Sequence, residues 1–213
     1  MAGRHGPHDR VIVAIGQVGK FASVASGDMV EVVRRPAGAY SVILVDGQGS
    51  GPRAKALSAL LVGRAAALVR DGTRDVAVIA SVHDFLLAYR NGLVSAPVDL
   101  ITVDPVAGHI RLARQSFTPA ALGDWTGFKP AGALSGPIGR WRVEPVATVD
   151  TPLVDGATMV VTTDGISQSG NRRGDRRSSD RRSDGWRDGG SIAGRHRRLR
   201  PRRGAGTGRR ASR

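Results

Sequence analysis

Two helix-periodic segments follow one another directly in this chain, and short apolar runs lie on either side of them. From Arg53 to Arg70, Leu57, Leu60, Leu61, Ala65, Leu68 and Val69 recur at the spacing of one helix face, and Asp71-Gly72 ends the pattern. From Asp75 to Tyr89, Val78, Val82, Phe85, Leu86 and Tyr89 do the same, until Asn91-Gly92 stops it. Before the helices, Val11–Ile15, Asp28–Arg35 and Tyr40–Val45 read as strands. After them, Val98–Val103 and His109–Ala113 read as a hairpin about Asp104-Pro105 and Gly108, followed by strands at Val143–Val149 and Thr158–Thr163. The stretch from about Gln115 to Arg140, rich in Gly, Pro and Ala, is predicted as a loop. Strands, two consecutive helices and then strands do not make the alternation of a doubly wound sheet. The expected class is a layered α+β domain.

Charge sets the limits of that domain. The 213 residues carry a net +14. Residues 171–213 hold 16 arginines against 4 aspartates, a net of +12, whereas residues 1–170 hold 16 cationic and 14 acidic side chains, a net of +2. The large apolar residues of the tail are Trp186, Ile192 and Leu199, too few to bury a core. The expectation is therefore a folded domain over residues 10–170, a disordered N-terminus over 1–9 and a disordered Arg-rich tail over 171–213. Two origins for the tail are open. One is a natural basic arm for nucleic acid, attracted without regard to sequence, or for an acidic partner. The other, favoured by the abrupt change near Gly170, is a reading-frame shift in a GC-rich gene.

Cysteine is absent, which excludes disulfides, zinc–thiolate sites and thiol nucleophiles. No run reaches the roughly 18 apolar residues of a membrane span, and the polar start Met1 to Arg10 has no apolar signal core after it. The chain reads as cytoplasmic, with no membrane partner. Aromatic residues make up 4% of it, which speaks against a base-stacking surface for single-stranded nucleic acid.

Three aspartates stand where apolar runs meet turns: Asp28 in Ser26-Gly27-Asp28, Asp46 in Val45-Asp46-Gly47-Gln48-Gly49-Ser50-Gly51, and Asp164 in Thr162-Thr163-Asp164-Gly165. A strand fixes such a carboxylate, and the neighbouring glycine lets a backbone carbonyl or water come close, which suits a hard cation. The glycine loop is neither of the familiar phosphate loops. Gly51 is followed by Pro52-Arg53, so the lysine and hydroxyl of a P-loop are missing. Counted from Gly47 or Gly49, the last glycine of a dinucleotide fingerprint is replaced by Pro52 or Ala54. An acidic residue ahead of the glycines favours holding a cation that in turn holds a phosphate. The plainer reading of the same loop is a strand-to-helix turn that needs glycine for its backbone. Two metal ions clamped by shared carboxylates can activate a water for attack on a phosphoryl group. The five histidines show no ligand spacing, and Ser50 has no evident histidine base.

Together these stretches resemble the metal-dependent protein phosphatases of the protein phosphatase 2C type (PPM), most closely the bacterial branch related to the stage II sporulation protein E phosphatase. The matching pieces are Ser26-Gly27-Asp28-Met29-Val30-Glu31, the run from Val45 to Lys55, the helical pair, the Asp99 to Ala113 hairpin, Gly136-Pro137-Ile138-Gly139, and Val161-Thr162-Thr163-Asp164-Gly165-Ile166. The resemblance spans about residues 10–170. It implies an α-β-β-α sandwich of two antiparallel sheets flanked by helices, with two divalent cations, Mn²⁺ or Mg²⁺, at one end. It further implies that Asp46 bridges the ions, that the Gly47 carbonyl and Asp164 each bind one, and that Asp28 joins directly or through water. Asp46 and Asp28 would be the catalytic carboxylates. The implied activity is hydrolysis of phosphoserine or phosphothreonine by a metal-activated water, on a bacterial regulatory protein such as an anti-sigma-factor antagonist.

The sequence departs from this pattern at its C-terminal side, where the domain reads as incomplete. The family continues with a helix and a last strand preceded by a further aspartate, commonly in an Asp-Asp-x-Thr context. Here Gly170 leads into Asn171-Arg172-Arg173, and none of Asp175, Asp180, Asp184 and Asp188 precedes an apolar strand. Two alternatives to the phosphatase therefore stand: a catalytically impaired, phosphatase-like regulatory domain, and nucleic-acid binding through the basic tail.

Overall fold

The computed structural model describes residues 11–17, 26–142 and 144–165. The termini expected to be disordered, residues 1–9 and 171–213, lie outside the described residues. Two strands, β1 (Asp28–Arg34) and β2 (Tyr40–Asp46), precede two helices, α1 (Pro52–Arg70) and α2 (Asp75–Arg90). Six strands follow: β3 (Val98–Asp104), β4 (His109–Gln115), β5 (Ala120–Asp124), β6 (Gly127–Pro130), β7 (Ala147–Pro152) and β8 (Thr158–Val161). They form two antiparallel sheets, one of five strands in the order β1-β2-β3-β4-β7 and one of three in the order β6-β5-β8.

Alternation along the large sheet feeds two cores. Val33, Ile43, Val45, Val98, Leu100 and Ala113 face the helices and pack on Leu57, Leu61, Val62 and Val69 of α1 and Val78, Ile79, Val82 and Leu86 of α2. On the opposite face, Val42, Ile101, Val103, Ile110, Leu112 and Val149 meet Ala120, Leu122, Met159 and Val161 of the small sheet. The helices, the large sheet and the small sheet are thus successive layers, as the α+β reading expects. Central β3 is buried on both faces from Val98 to Thr102, its polar Asp99 and Thr102 included.

The helix ends follow from their residues. Pro52 sits at the first turn of α1, where its missing N–H costs nothing. At the other end, Gly72 adopts φ 81°, and the Gly72 and Thr73 N–H groups donate to the Val69 and Leu68 carbonyls, a Schellman closure. The apolar stripes are rotated from the expected ones. Ser58 on α1 and Ile79 and His83 on α2 are buried, whereas Leu60 and Tyr89 are exposed.

Three expectations are corrected. Residues 11–15 form no strand, and Ile12 and Ile15 are exposed; among the described residues β1 is the edge of the large sheet and pairs with β2. The stretch from Gln115 to Arg140 is not all loop, because it contains the β5–β6 hairpin. Its turn is held by the Thr126 N–H donating to Asp124 Oδ1 at 2.7 Å. Its inward row is only Ala120 and Leu122, too short a pattern to stand out among glycines and prolines. Finally, of the strand expected over Val143–Val149, Val143 lies outside the described residues, and β7 begins only at Ala147, after Pro145, which has no N–H for a ladder.

One polar network ties α2 to the large sheet. Arg35 donates from Nε to Ser41 Oγ at 2.7 Å and from Nη1 to the Thr73 carbonyl at 2.8 Å, and its Nη2 pairs with Asp75 Oδ1. Thr102 Oγ1 donates to the same Asp75 oxygen at 3.1 Å. Burial pushes the Asp75 carboxyl above its ordinary value, and the Arg35 guanidinium holds back part of that rise. Removing one partner of a buried pair leaves the other charge uncompensated. Arg35→Ala is therefore expected to lower stability by about 3 kcal/mol, measured as a fall in the urea midpoint at unchanged m-value.

Candidate metal centre

Antiparallel pairing sets Asp28, the first residue of β1, opposite Asp46, the last of β2. Both half-buried carboxylates stand at the same end of the sheet. The chain runs on from Asp46 into Gly47, whose N–H donates to the Gly27 carbonyl at 3.3 Å. The same carbonyl accepts the Ser58 hydroxyl of α1 at 2.5 Å. The two glycines are required by this closeness. A Cβ on Gly47 would lie 2.3 Å from Ser58 Oγ and 2.9 Å from the Gly27 carbonyl oxygen, and one on Gly27 would lie 2.7 Å from the Gly47 carbonyl oxygen. The carbonyls of Gly27, Gly47 and Gly49 are thereby drawn together beside the carboxylates.

The third aspartate arrives from the small sheet. Beyond β8, Thr163 donates from Oγ1 to Asp28 Oδ2 at 3.0 Å, across 135 residues of sequence. Asp164 reaches Asp46 through its backbone N–H and its charge. Its side chain is exposed, and among the described residues no three His, Asp or Glu side chains stand as a closed ligand set. The structure thus brings Asp28, Asp46 and Gly47 together and sets Asp164 at their margin.

Crowding shows in the proton affinity of Asp46. Burial, then the negative charge of Asp28 and a hydrogen bond with its carboxyl, then the charge of Asp164, push the Asp46 carboxyl from 3.8 to about 7, and the Asp164 N–H opposes the rise. Carboxylates and a carbonyl in so small a space make a donor set of hard oxygens. A divalent cation would relieve their repulsion, so the residues present fit one.

Sequence reasoning missed a second charged pair, on the same face of the large sheet and one step inward. Leu44 of β2 is opposite Asp99 of β3, and Asp99 is opposite Arg114 of β4. Arg114 is fully buried, with Nε 2.8 Å from Asp99 Oδ1, and its Nη2 donates to the Thr118 carbonyl. The 2.8 Å contact is an ion pair rather than an aligned hydrogen bond. Burial raises the Asp99 carboxyl to about 6 even though Arg114 opposes the rise. The sequence signal was slight, because both strands carry other polar residues, such as Thr102 in β3 and Arg111 and Gln115 in β4. Sequence reasoning also missed Ser58, Thr163 and Gln48, whose Oε1 accepts the Ser95 N–H at 3.1 Å.

A family model described as Stage II sporulation protein E (SpoIIE) matches residues 36–199. The chain belongs to the SpoIIE family. Among solved structures, it resembles the PP2C phosphatase domain, with a fragment of the regulatory domain, of the cell fate determinant SpoIIE from Bacillus subtilis. That match has a TM-score of 0.65 at 20% identity and covers 73% of this chain and 45% of that one. The RsbU and RsbW domains of a Mycobacterium tuberculosis protein match with a TM-score of 0.59 at 18% identity, over 69% of this chain and 42% of that one. RsbX in complex with magnesium matches with a TM-score of 0.57 at 18% identity, over 70% and 72%. The SpoIIE-family chain thus has the PP2C fold and spans less than half the length of the first two structures. No curated protein matches it. Among the described residues no helix is long and apolar enough to cross a membrane.

Asp46 and Asp99 both bind a proton more tightly in the folded chain than a free carboxyl does. The metal-free protein is therefore expected to lose stability as pH rises from about 4 to about 7. Mn²⁺ or Mg²⁺ should restore it, most strongly above pH 7, where Asp46 is ionised. Melting temperature against pH, with and without metal, checks both statements.

Proposed function

We propose that this SpoIIE-family domain is a metal-dependent protein serine/threonine phosphatase. The observation that carries the reading is the crowded Asp28–Asp46 pair at the end of a PP2C fold, with Asp46 pushed to about 7 by burial and by its neighbour. In this proposal Asp46 would be a ligand common to two divalent cations, Mn²⁺ or Mg²⁺, the Gly47 carbonyl and Asp164 would each help hold one of them, and Asp28 would join directly or through water. Bound there, such cations supply Lewis acidity and an acidified water for hydrolysis of a phosphomonoester. The chain itself keeps the donors in place. Thr163 fixes one oxygen of Asp28, and Ser58 and the Gly47 N–H share the Gly27 carbonyl, which keeps the Gly47 backbone beside Asp46.

The proposed substrate is a phosphorylated bacterial regulatory protein of the anti-sigma-factor-antagonist kind, acted on in the cytoplasm. Similarity in fold to the SpoIIE phosphatase domain and to a structure with RsbU and RsbW domains supports that class. A second reading, a catalytically impaired regulatory domain, draws on the exposed position of Asp164 and on the lack, among the described residues, of three carboxylates grouped as a ligand set.

One set of measurements separates the two readings. Wild-type protein is expected to hydrolyse a phosphoserine peptide only with Mn²⁺ or Mg²⁺, and Asp46→Asn to lower the rate by at least about 10²-fold. Metal titration by calorimetry should give two bound ions in the wild type. A folded wild type that binds fewer than two ions and turns over no peptide would sink the enzyme and favour the regulatory domain.

A further inference from the structure

Away from the carboxylates, one exposed surface joins aromatic, aliphatic and cationic side chains on a rigid base. Trp141 is 69% exposed, yet its ring is seated on the Gly92 backbone, where a Cβ would lie 2.3 Å from the indole nitrogen. Leu93, next to Gly92, is 82% exposed. Arg140 and Arg142 flank Trp141, and both are exposed. Arg90, two residues before Gly92, lies with its guanidinium 4.6 Å from the centroid of the Tyr89 ring.

The base beneath them is fixed. Ala96 and Ile138 exchange both backbone hydrogen bonds, at 3.2 and 3.0 Å. The Gly139 N–H donates to buried His83 Nδ1 at 3.3 Å, and a Cβ on Gly139 would lie 2.6 Å from both Leu86 and the Val94 carbonyl. One contact ties this base to the candidate metal centre: the Ser95 N–H donates to Gln48, two residues beyond Asp46. The carboxylate of the 136–144 loop, Glu144, is occupied by the Gly136 N–H at 2.5 Å.

We propose that Arg140, Trp141 and Arg142, with Leu93 and Arg90, dock an acidic segment of the phosphoprotein beside its phosphoserine. The inference rests on the phosphatase reading above and deepens it. A large aromatic that stays exposed while its base is rigid is a ready anchor, because little conformational freedom remains to be lost on binding. Arginines beside it match carboxylates in geometry and charge, and they steer an acidic partner toward the site.

The test uses the full chain and short labelled phosphoserine peptides that differ only in flanks, Asp/Glu-rich or Gly/Ser-rich. Binding is read by fluorescence anisotropy, and turnover as KM and kcat, with p-nitrophenyl phosphate as a substrate without flanks. The Arg140→Glu/Arg142→Glu double variant is expected to weaken binding of the acidic peptide about tenfold and raise its KM to match. Its kcat, its action on p-nitrophenyl phosphate and its binding of the neutral peptide should not change. Trp141→Ala should weaken acidic-peptide binding, and Trp141→Phe should restore most of it. Residues 171–213 are the same in every variant, so their charge cancels from the comparison. Equal wild-type affinity for both peptides would overturn the proposal, as would an unchanged double variant. An equal loss of binding to duplex DNA would also overturn it, by making the surface a general polyanion site. Absence of hydrolysis on every substrate, with the anisotropy difference intact, would instead refute the phosphatase reading.

Discussion

Pairing Asp28 with Asp46 across β1 and β2 forces two carboxylates onto one end of one sheet. Their mutual repulsion and partial burial are unfavourable unless a proton or a cation intervenes, and the rise of Asp46 to about 7 is the sign of that conflict. The surroundings hold the conflict in place. Glycine at positions 27 and 47 lets two backbone segments touch, and Ser58 of α1 ties the first of them to the helix layer. A slip of one residue in the β1–β2 register would turn every side chain of β1 to the other face and separate the carboxylates.

Two polar networks lie on opposite faces of the large sheet, one at the far end of the strands and one beside the candidate centre. On the helix side, Arg35, Ser41, Thr102 and Asp75 fix the start of α2. On the inter-sheet side, Asp99 and Arg114 form a buried pair one register step from the candidate centre. Replacing such pairs with apolar residues is often neutral for stability, whereas breaking them is costly. Their common effect is to make the register of the central strands hard to change. The exposed Trp141 surface depends on the same rigidity, since its base reaches the glycine loop through Gln48.

Much of the fold was legible in the sequence. Apolar spacing located both helices, and glycine at 72 and 92 marked their ends, because left-handed backbone suits residues without a Cβ. Strands β1 to β4 were legible because each carries a run long enough to show its period. The β5–β6 hairpin was not, since its inward row is only Ala120 and Leu122. The run from Val11 to Ile15 misled for the opposite reason. It has the composition of a strand, but among the described residues β1 is the edge of its sheet and residues 11–15 pair with no strand.

The candidate site divides in the same way. By itself the sequence determined that three aspartates stand where strands meet glycine turns, and that resemblance to the 2C-type phosphatases spans their order and spacing. It also determined the split between a nearly neutral domain and a strongly basic tail, because charge and apolar content are local properties of the chain. Only the tertiary structure decided that Asp28 faces Asp46, that Thr163 reaches Asp28 across 135 residues, and that Asp164 meets Asp46 through its backbone. It alone decided that Asp99 and Arg114 are a buried pair and that Trp141 rests on Gly92. These are contacts between distant segments, set by register and layer packing, and no local pattern of residue types encodes them.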